Sequence, residues 1–530
     1  MYAEVAVNVA SLTNTFHYAV PRDLEPQVAA GCLVLVPFAG RDAQGIIVAL
    51  PDDAPVDDER LKPLMALLDP EPVLTRAQLD LAYWIAHTYL VPLIDALTLM
   101  LPPGLAKQAE AVFALAETDE EEPDTKPAAA NPAQQALLTL LTERGPLRGR
   151  QIDRALPKLK WRPAAEALVR RGVLSRRSRL EPPSVRAKQV RTARLTAAGR
   201  RAAAERPALS RSAPKQARLL AALDFLAREG KPVEVAWVYA ASQTTLEDLK
   251  ELAERGWVDL GEAEVWRDPL AGQTFAPDTA PALAADQERV WEAVRARLTD
   301  EAGAGPATFL LHGVTGSGKT EIYLRALEAV LERGRRALVL VPEIALTPQT
   351  VRRFSARFPG RVAVWHSELG EGERYDTWRR ARLGLVDVVI GARSALFAPL
   401  PEIGLIVLDE EHDEAYKQDP PQSVPYHARE AAAQYAQQLG AVCLLGSATP
   451  DVVTFFRARR GDYQLLELPL RIMGHAQHVQ AQAAQFQVTP RYHALGGAAA
   501  ALTIELPPVD IVDMRQELRM GNTTLFSRKL

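Results

Sequence analysis

Cysteine is nearly absent from this chain: Cys32 and Cys443 are the two among 530 residues. Two thiols cannot build a disulfide scaffold, nor a multi-cysteine zinc site made by this chain alone. Such usage suits a reducing compartment, where a buried thiol packs as a small apolar side chain. Long apolar runs are missing too. The most apolar stretch, 81–101, is broken by His87, Pro92 and Asp95. That leaves it short of the roughly 20 uninterrupted residues of a membrane-spanning helix, so no membrane association is expected. The N-terminus, MYAEVAVNVA, has neither a basic segment nor a cleavable apolar one, so no secretory signal is expected and a cytoplasmic location is. Charge of one sign is also missing overall. The 62 Lys and Arg against 66 Asp and Glu leave a net charge of −4, so the average field gives no reason to expect a nucleic-acid partner.

What is present suits several domains. At roughly 100–200 residues each, the length predicts three to five. With 48% hydrophobic and 24% charged residues, the chain can fill several cores. Residues 1–105 read as β-rich at first. Val5, Val7 and Val9 alternate with smaller or polar residues, and 32–36 and 46–50 are short β-branched runs bounded by Gly31, Pro37 and Gly45. A helix is predicted over 75–90, with Leu79, Tyr83, Ala86 and Leu90 on one face. Pro102-Pro103-Gly104 closes the unit. Residues 106–130 contain the acidic run ETDEEEPD and a Pro/Ala-rich stretch, and read as a solvated linker.

Two copies of one pattern follow. The first runs from NPAQQALLTLL to EALVRRGVL within 131–208, the second from APKQARLLAAL to KELAERGWV within 209–270. Each predicts a helix, a turn, further helical residues, then a helix ending in Arg-Gly before an apolar strand. This suits a small winged helix-turn-helix module used twice, a design that binds DNA in some proteins and protein in others. The charge asymmetry hidden by the average sits in the first copy. Between Arg144 and Arg194 there are sixteen Lys or Arg and three acids, a local net of +13, which is the footprint of phosphate binding.

Residues 281–470 change to an α/β rhythm. Short apolar runs at 308–312, 337–341, 362–365, 386–390, 405–408 and 442–445 are mostly separated by helical patterns, which predicts a parallel sheet with crossover helices. The first run ends in GVTGSGKT, 313–320, followed by a helix. This is G-x-x-x-x-G-K-[ST] in its required setting. Gly313, Gly316 and Gly318 let backbone N–H groups of the loop, those of Thr315 and Ser317 included, wrap phosphates at a helix N-terminus. Lys319 then reaches the β- and γ-phosphates of ATP, and the Thr320 hydroxyl meets Mg²⁺. The run GLIVLDEEH, 404–412, delivers Asp409 and Glu410 at the end of another predicted strand, where ligands of open α/β sheets bind. Asp409 is placed to hold Mg²⁺, and Glu410 to orient and deprotonate attacking water. A third strand leads into GSATP, 446–450.

Together these motifs resemble a superfamily 2 helicase motor. VPEIALTPQ (341–349), WHSELGEGERYDTW (365–378), GARSALFAPL (391–400), DEEHDEAYKQ (409–418) and GSATP resemble more narrowly the PriA family of bacterial replication-restart helicases. TFHYAVP (15–21), GCLVLVPF (31–38) and WIAHTYLVPLIDAL with LPPGL (84–105) resemble that family's 3′-end DNA-binding domain. The resemblance implies a 3′-to-5′ DNA motor that binds forked and single-stranded DNA. It also implies partners among primosome-loading proteins and single-stranded DNA-binding protein, and a place at the nucleoid. By the same resemblance Gln287 reads adenine, Ser447 and Thr449 couple the nucleotide site to DNA, and His412, Tyr416, Lys417, Tyr426 and Arg429 fall in a DNA-sensing loop. Phe16, Tyr18, Gly40 and Lys62 match the 3′-end pocket. Rings and cations in such a loop would stack on bases and pair with phosphates.

The chain departs from the family in three places. His17 stands where the family usually has an acid, which puts 3′-end specificity in doubt, since a protonated imidazole cannot accept a hydrogen bond from a 3′-hydroxyl. The sensing loop carries extra residues, DPPQSV at 419–424, and Pro425 where Arg is common. Residues 471–510 include an Ala- and Gln-rich insert-like stretch, and 511–530 resemble the entry to the family's second motor lobe. That lobe carries further arginines and the family's zinc-binding cysteines, which have no counterpart in these 530 residues. The expectation is therefore that these residues alone do not unwind DNA. The rival expectation from another class is a fork-binding scaffold that does not turn over ATP.

Overall fold

The computed structural model describes residues 1–9, 12–53, 61–102, 104–105, 110–116, 131–157, 159–179, 185, 187–210, 212–299, 307–419, 424–475, 493–494, 501–504 and 511–529. It divides into two compact units. One comprises 1–274 with 363–385 and 397–399, the other 275–362 with 386–396 and 400–530.

The first unit opens with an antiparallel sheet of order β2-β1-β4-β3-β5, formed by β1 (Tyr2–Val7), β2 (Phe16–Ala19), β3 (Leu33–Phe38), β4 (Arg41–Ala49) and β5 (Ala66–Leu67). Alternation puts Ala3, Val5, Val7, Val34 and Val36 into one core with Ile47 and the thiol of Cys32. Helix α1 (Arg76–Tyr89) starts at a reciprocal cap between Thr75 and Gln78, and α2 (Leu93–Thr98) follows it. The apolar face of α1 differs from the predicted one. Leu79, Leu81, Ala82 and Ile85 are buried, whereas Tyr83 and Leu90 are exposed. Leu90 adopts a left-handed conformation at the C-cap, which turns it away from the stripe.

Both repeated modules have a strand that sequence reasoning missed. In the first, β6 (Glu110–Leu115) precedes α3 (Pro132–Arg144), β7 (Leu147–Arg148), α4 (Gly149–Ala155), α5 (Trp161–Arg170) and β8 (Leu174–Arg179), and pairs between β7 and β8. In the second, β9 (Lys188–Leu195) and α6 (Ala197–Glu205) precede α7 (Ala213–Glu229), β10 (Val233–Glu234), α8 (Val235–Ser242), α9 (Leu246–Glu254) and β11 (Val258–Val265). Here β9 is the central strand, between β10 and β11. The boundaries therefore move. Residues 110–115, assigned above to a linker, complete the first core through Phe113. Residues 188–205, assigned to the first module, belong to the second core through Ala193, Leu195 and Ala202. Three short helices leave one apolar face open, and a strand supplied from the N-terminal side closes it.

The second unit runs α10 (Ala285–Thr299), β12 (Thr308–Gly313), α11 (Lys319–Glu332), β13 (Arg336–Leu340) and α12 (Pro348–Arg357). Next in the chain come β14 (Val362–Trp365) and α13 (Glu371–Arg382), nearly all of which belongs to the first unit. Then follow β15 (Val388–Gly391), β16 (Ile403–Leu408), β17 (Lys417–Gln418), β18 (Tyr426–His427), α14 (Ala428–Leu439), β19 (Val442–Ser447), α15 (Val452–Arg460) and β20 (Gln464–Leu468). The sheet order is β15-β13-β16-β19-β12-β20 within this unit, and every pair in it is parallel. The strand β20, QLLEL, had no place in the sequence reading. Past it lie β21 (Arg471–His475), β22 (His493–Ala494) and β23 (Ala501–Ile504), a small antiparallel sheet, and α16 (Met514–Arg519). The rest of the insert-like stretch, and 420–423 of the sensing loop, lie outside the described residues. No described helix is long and apolar enough to cross a membrane.

Candidate functional site

Strand β12 runs between β19 and β20 and ends at Gly313, where the chain must turn into α11. Gly316 and Gly318 have φ of +82° and +87°, the region that disfavours side chains. At Gly313 an added Cβ would lie 2.6 Å from Ser317 Oγ. The loop is thus drawn tight around a hollow by three glycines for two different reasons. Ser317 Oγ is buried without a hydrogen-bond partner. The buried Lys319 ammonium donates to the Gly313 carbonyl at 2.8 Å. Gln287, on α10, accepts from the Ala284 N–H at 3.0 Å and donates to the Ser317 carbonyl at 3.1 Å, so it braces the loop.

The hollow is a cavity of about 380 Å³ lined by Pro281, Gln287, Lys319, Thr320, Asp409 and Glu410, along with Thr315, Gly316, Ser317 and Gly318, among others. That is ample for a small anionic ligand. Burial holds the Asp409 carboxyl above its ordinary range, although a hydrogen bond from Tyr323 and the charge of Lys319 pull it down. Glu410 is raised as well, by burial and then by Asp409 beside it. Glu410 also has φ of +47°, a strained setting for a side-chain residue that concentrates at working sites. Burial raises both carboxyls despite the nearby charge of Lys319, and a divalent ion between them would favour their ionised form. Mg²⁺ takes one or two protein oxygens and completes its shell with water and phosphate. Among the described residues no group of three or more His, Cys, Asp or Glu is arranged to hold a metal.

Four residues that sequence reasoning did not select surround this arrangement. Tyr323, fully buried on α11, donates to Asp409 Oδ1 at 3.0 Å. It stands four residues after Lys319, so helical spacing alone puts both on one face. Glu411 is fully buried after the two catalytic candidates. It receives Arg429 at 3.0 Å, the Asp451 N–H at 2.8 Å and the Thr454 hydroxyl at 3.0 Å. Arg353 lines the cavity from α12. Arg393 donates to the Ala415 carbonyl at 3.2 Å and the Lys417 carbonyl at 2.5 Å.

The coupling residues are partly brought together. His412 Nδ1 shares a hydrogen bond of 2.7 Å with Ser447 Oγ, its Nε2 lies 3.4 Å from Thr449 Oγ1, and Glu410 is 3.6 Å away. The imidazole therefore links Glu410, at the acidic end of β16, to the Ser-Ala-Thr turn. Three of the residues expected to stack on bases or pair with phosphates in the sensing loop are packed inward. Tyr416 is fully buried and donates to the Asp409 carbonyl at 2.7 Å. Tyr426 is buried with the Arg393 guanidinium over its ring. Arg429 is buried in ion pairs with Glu411 and Asp451. In this arrangement none of the three presents its functional end to solvent, because each satisfies a buried carbonyl, ring or carboxylate. Lys417, paired with Asp419, is exposed, as is His412.

In the first unit, Phe16 meets Phe38 edge-on with centroids 4.9 Å apart. Gly40 occupies the β3–β4 turn with φ of +76°, and the Lys62 carbonyl accepts from the Ala19 N–H. Phe16 thus packs against the strand that leads into the Gly40 turn, and Lys62 lies beside Ala19 at the other end of β2. Tyr18 does not join them as a polar group. It is buried, its hydroxyl turns to the Pro37 carbonyl, and burial pushes its pKa to about 12.

Known proteins match these two regions. Residues 4–102 match the model of a 3′ DNA-binding domain, and 285–455 match that of DEAD/DEAH box helicases. Replication restart protein PriA of Bacillus subtilis strain 168 is 34% identical over 533 residues, covering all of this chain and 60% of its own length. That of Synechocystis sp. PCC 6803 is 34% identical, covering all of this chain and 58% of its own. That of Haemophilus influenzae Rd is 32% identical over 87% of this chain and 51% of its own. The chain thus spans about half to three-fifths of the length of these curated relatives. With matches running through the N-terminal sheet, both modules and the parallel-sheet unit, the chain belongs to the PriA family of replication restart proteins.

Proposed function

We propose that this chain binds branched DNA at stalled replication forks and binds Mg-ATP at 313–320. The observation that carries the nucleotide reading is the single cavity that holds the glycine loop, Lys319, Thr320 and the raised carboxyls of Asp409 and Glu410. Loop N–H groups and the N-terminus of α11 would hold the phosphates. Lys319 would leave the Gly313 carbonyl for the β- and γ-phosphates, an exchange of one acceptor for a charged one. Thr320 and Asp409 would hold Mg²⁺, which neutralises phosphate charge when bound. Glu410 would take a proton from attacking water, and its raised pKa helps it hold that proton. Its tie through His412 to Ser447 gives DNA a route to the water-activating carboxylate. Gln287, which braces the loop, is proposed to meet adenine as well.

On the DNA side, Phe16, Gly40 and Lys62 are proposed to receive a 3′ end. The basic first module, residues 110–179, is proposed to follow duplex phosphates. In the second module α9 reads LEDLKELAE, with four acids and one lysine, so it is poorly suited to a groove, and a protein contact is the better reading for it. Helicase activity, primosome-loading partners and a nucleoid location are proposals carried from the family.

The test is ATP hydrolysis by this chain on a fork with a free 3′ arm, next to Lys319→Ala. Turnover stimulated by the fork and lost in the variant supports an ATPase. Tight fork binding with no turnover above the variant refutes it and leaves a DNA-binding platform.

A further inference from the structure

We infer that Arg353 is a γ-phosphate sensor within the nucleotide cavity, contacting ATP but not ADP. The inference rests on the nucleotide reading above and assigns a residue to one end of that site.

Helix α12 carries three arginines, Arg352, Arg353 and Arg357. Arg357 is almost fully buried and spent: it pairs with Glu321 at 3.3 Å, each side chain only 4% exposed. Glu321 follows Thr320 directly, so this pair ties α12 to the first turn of α11, the helix that begins with Lys319. Arg352 and Arg353 are both exposed, but Arg352 does not line the cavity. Arg353 does line it, and among the described residues it makes no hydrogen bond or ion pair. An exposed guanidinium that lines the cavity from a pinned helix, without a hydrogen bond or ion pair among the described residues, is a poor structural element and a good anion ligand.

Its place along the cavity narrows the ligand. The charge of Arg353 reaches Asp409, the carboxyl proposed to meet Mg²⁺. The outermost phosphate would lie near there, since Mg²⁺ held by Thr320 and Asp409 would meet the β- and γ-phosphates. ATP and ADP differ there by one phosphoryl group, so a cation at that position discriminates between them. Gln287, the loop N–H groups and Lys319 serve both nucleotides.

The experiment measures affinity, by titration calorimetry, of the 530-residue chain for Mg-ATPγS and for Mg-ADP. Four proteins are compared: the unaltered chain, Arg353→Ala, Arg352→Ala as the exposed neighbour, and Lys319→Ala. Loss of a charge-assisted contact predicts a roughly ten- to hundredfold weaker Mg-ATPγS affinity in Arg353→Ala, with Mg-ADP changed less than about twofold. Arg353→Lys, which keeps the charge and loses the fork, should fall between. Arg352→Ala should match the unaltered chain. Equal losses for both nucleotides in Arg353→Ala, or no loss for either, would overturn the inference and leave the nucleotide site standing. Weaker, less salt-sensitive DNA binding with nucleotide preference unchanged would overturn it in favour of a DNA phosphate contact. An unaltered chain that binds neither nucleotide would sink the nucleotide reading and this inference together. Far-ultraviolet circular dichroism confirms that each variant is folded.

Discussion

Removing the Arg429 guanidinium tests whether the pair it forms with Glu411 is a buried linchpin or a surface ornament. Glu411 is fully buried and Arg429 is 7% exposed in its side chain. Their charges therefore meet outside bulk water, where leaving one partner alone costs about 3–5 kcal/mol. Glu411 keeps two other donors, the Asp451 N–H and the Thr454 hydroxyl, so the lower end, about 3 kcal/mol, is expected for Arg429→Ala. Glu411→Gln should cost less, about 1–2 kcal/mol, because Arg429 retains Asp451 at 3.1 Å. The assay is hydrogen exchange of the β16 and β19 amides, which flank this network and report the opening of the unit itself. About 3 kcal/mol corresponds to protection lowered roughly a hundredfold. The double variant Glu411→Gln with Arg429→Met should cost less than the sum of its parts by about 1 kcal/mol or more. A loss below about 1 kcal/mol for Arg429→Ala, the size of an exposed pair, would refute the reasoning and return Arg429 to the list of DNA-facing cations.

Three further outcomes follow from other residues. Asp409 has a folded pKa raised by burial, so its contribution to stability is complete below the unfolded carboxylate pKa and is lost as pH rises through the raised one. Asp409→Asn should therefore stabilise the nucleotide-free chain at pH 7 more than at pH 4, read as urea midpoints; an equal shift at both would contradict the burial argument. Gly446→Ala would put a Cβ 1.6 Å from the buried Tyr323 hydroxyl, a clash worth about 1–3 kcal/mol. Adding Tyr323→Phe should recover part of that loss, and no recovery would mean the clash is relieved elsewhere. Charge reversal of the exposed Arg170 and Arg171 should weaken fork binding and flatten its salt slope by about 0.9 per lost duplex phosphate contact, whereas an unchanged slope would remove the first module from the DNA interface.

Some of this was legible before any coordinates, for physical reasons that can be named. The loop 313–320 needs glycines where the backbone must have positive φ, so its composition reveals its shape. A parallel sheet buried on both faces needs continuous apolar strands, so β12, β13, β16 and β19 announce themselves. What escaped were elements whose pattern is weak alone. The strand β6, EAVFAL, abuts an acidic run, and β9, KQVRTARL, buries three side chains among cations; both earn their conformation from partners distant in sequence.

The residue types at the candidate site were determined by the sequence alone: a phosphate loop, two strand-end acids, and a basic module within an acidic chain. Only the tertiary structure decided which of them face the hollow. It turned Tyr416, Tyr426 and Arg429 inward, because a carbonyl, an arginine and the buried Glu411 were waiting to be satisfied there. It paired Arg357 with Glu321 and left Arg353, on the same helix, lining the cavity. Sequence specifies which groups carry charge and which turns are possible, whereas packing decides which polar group finds its partner inside the protein and which is left for a ligand.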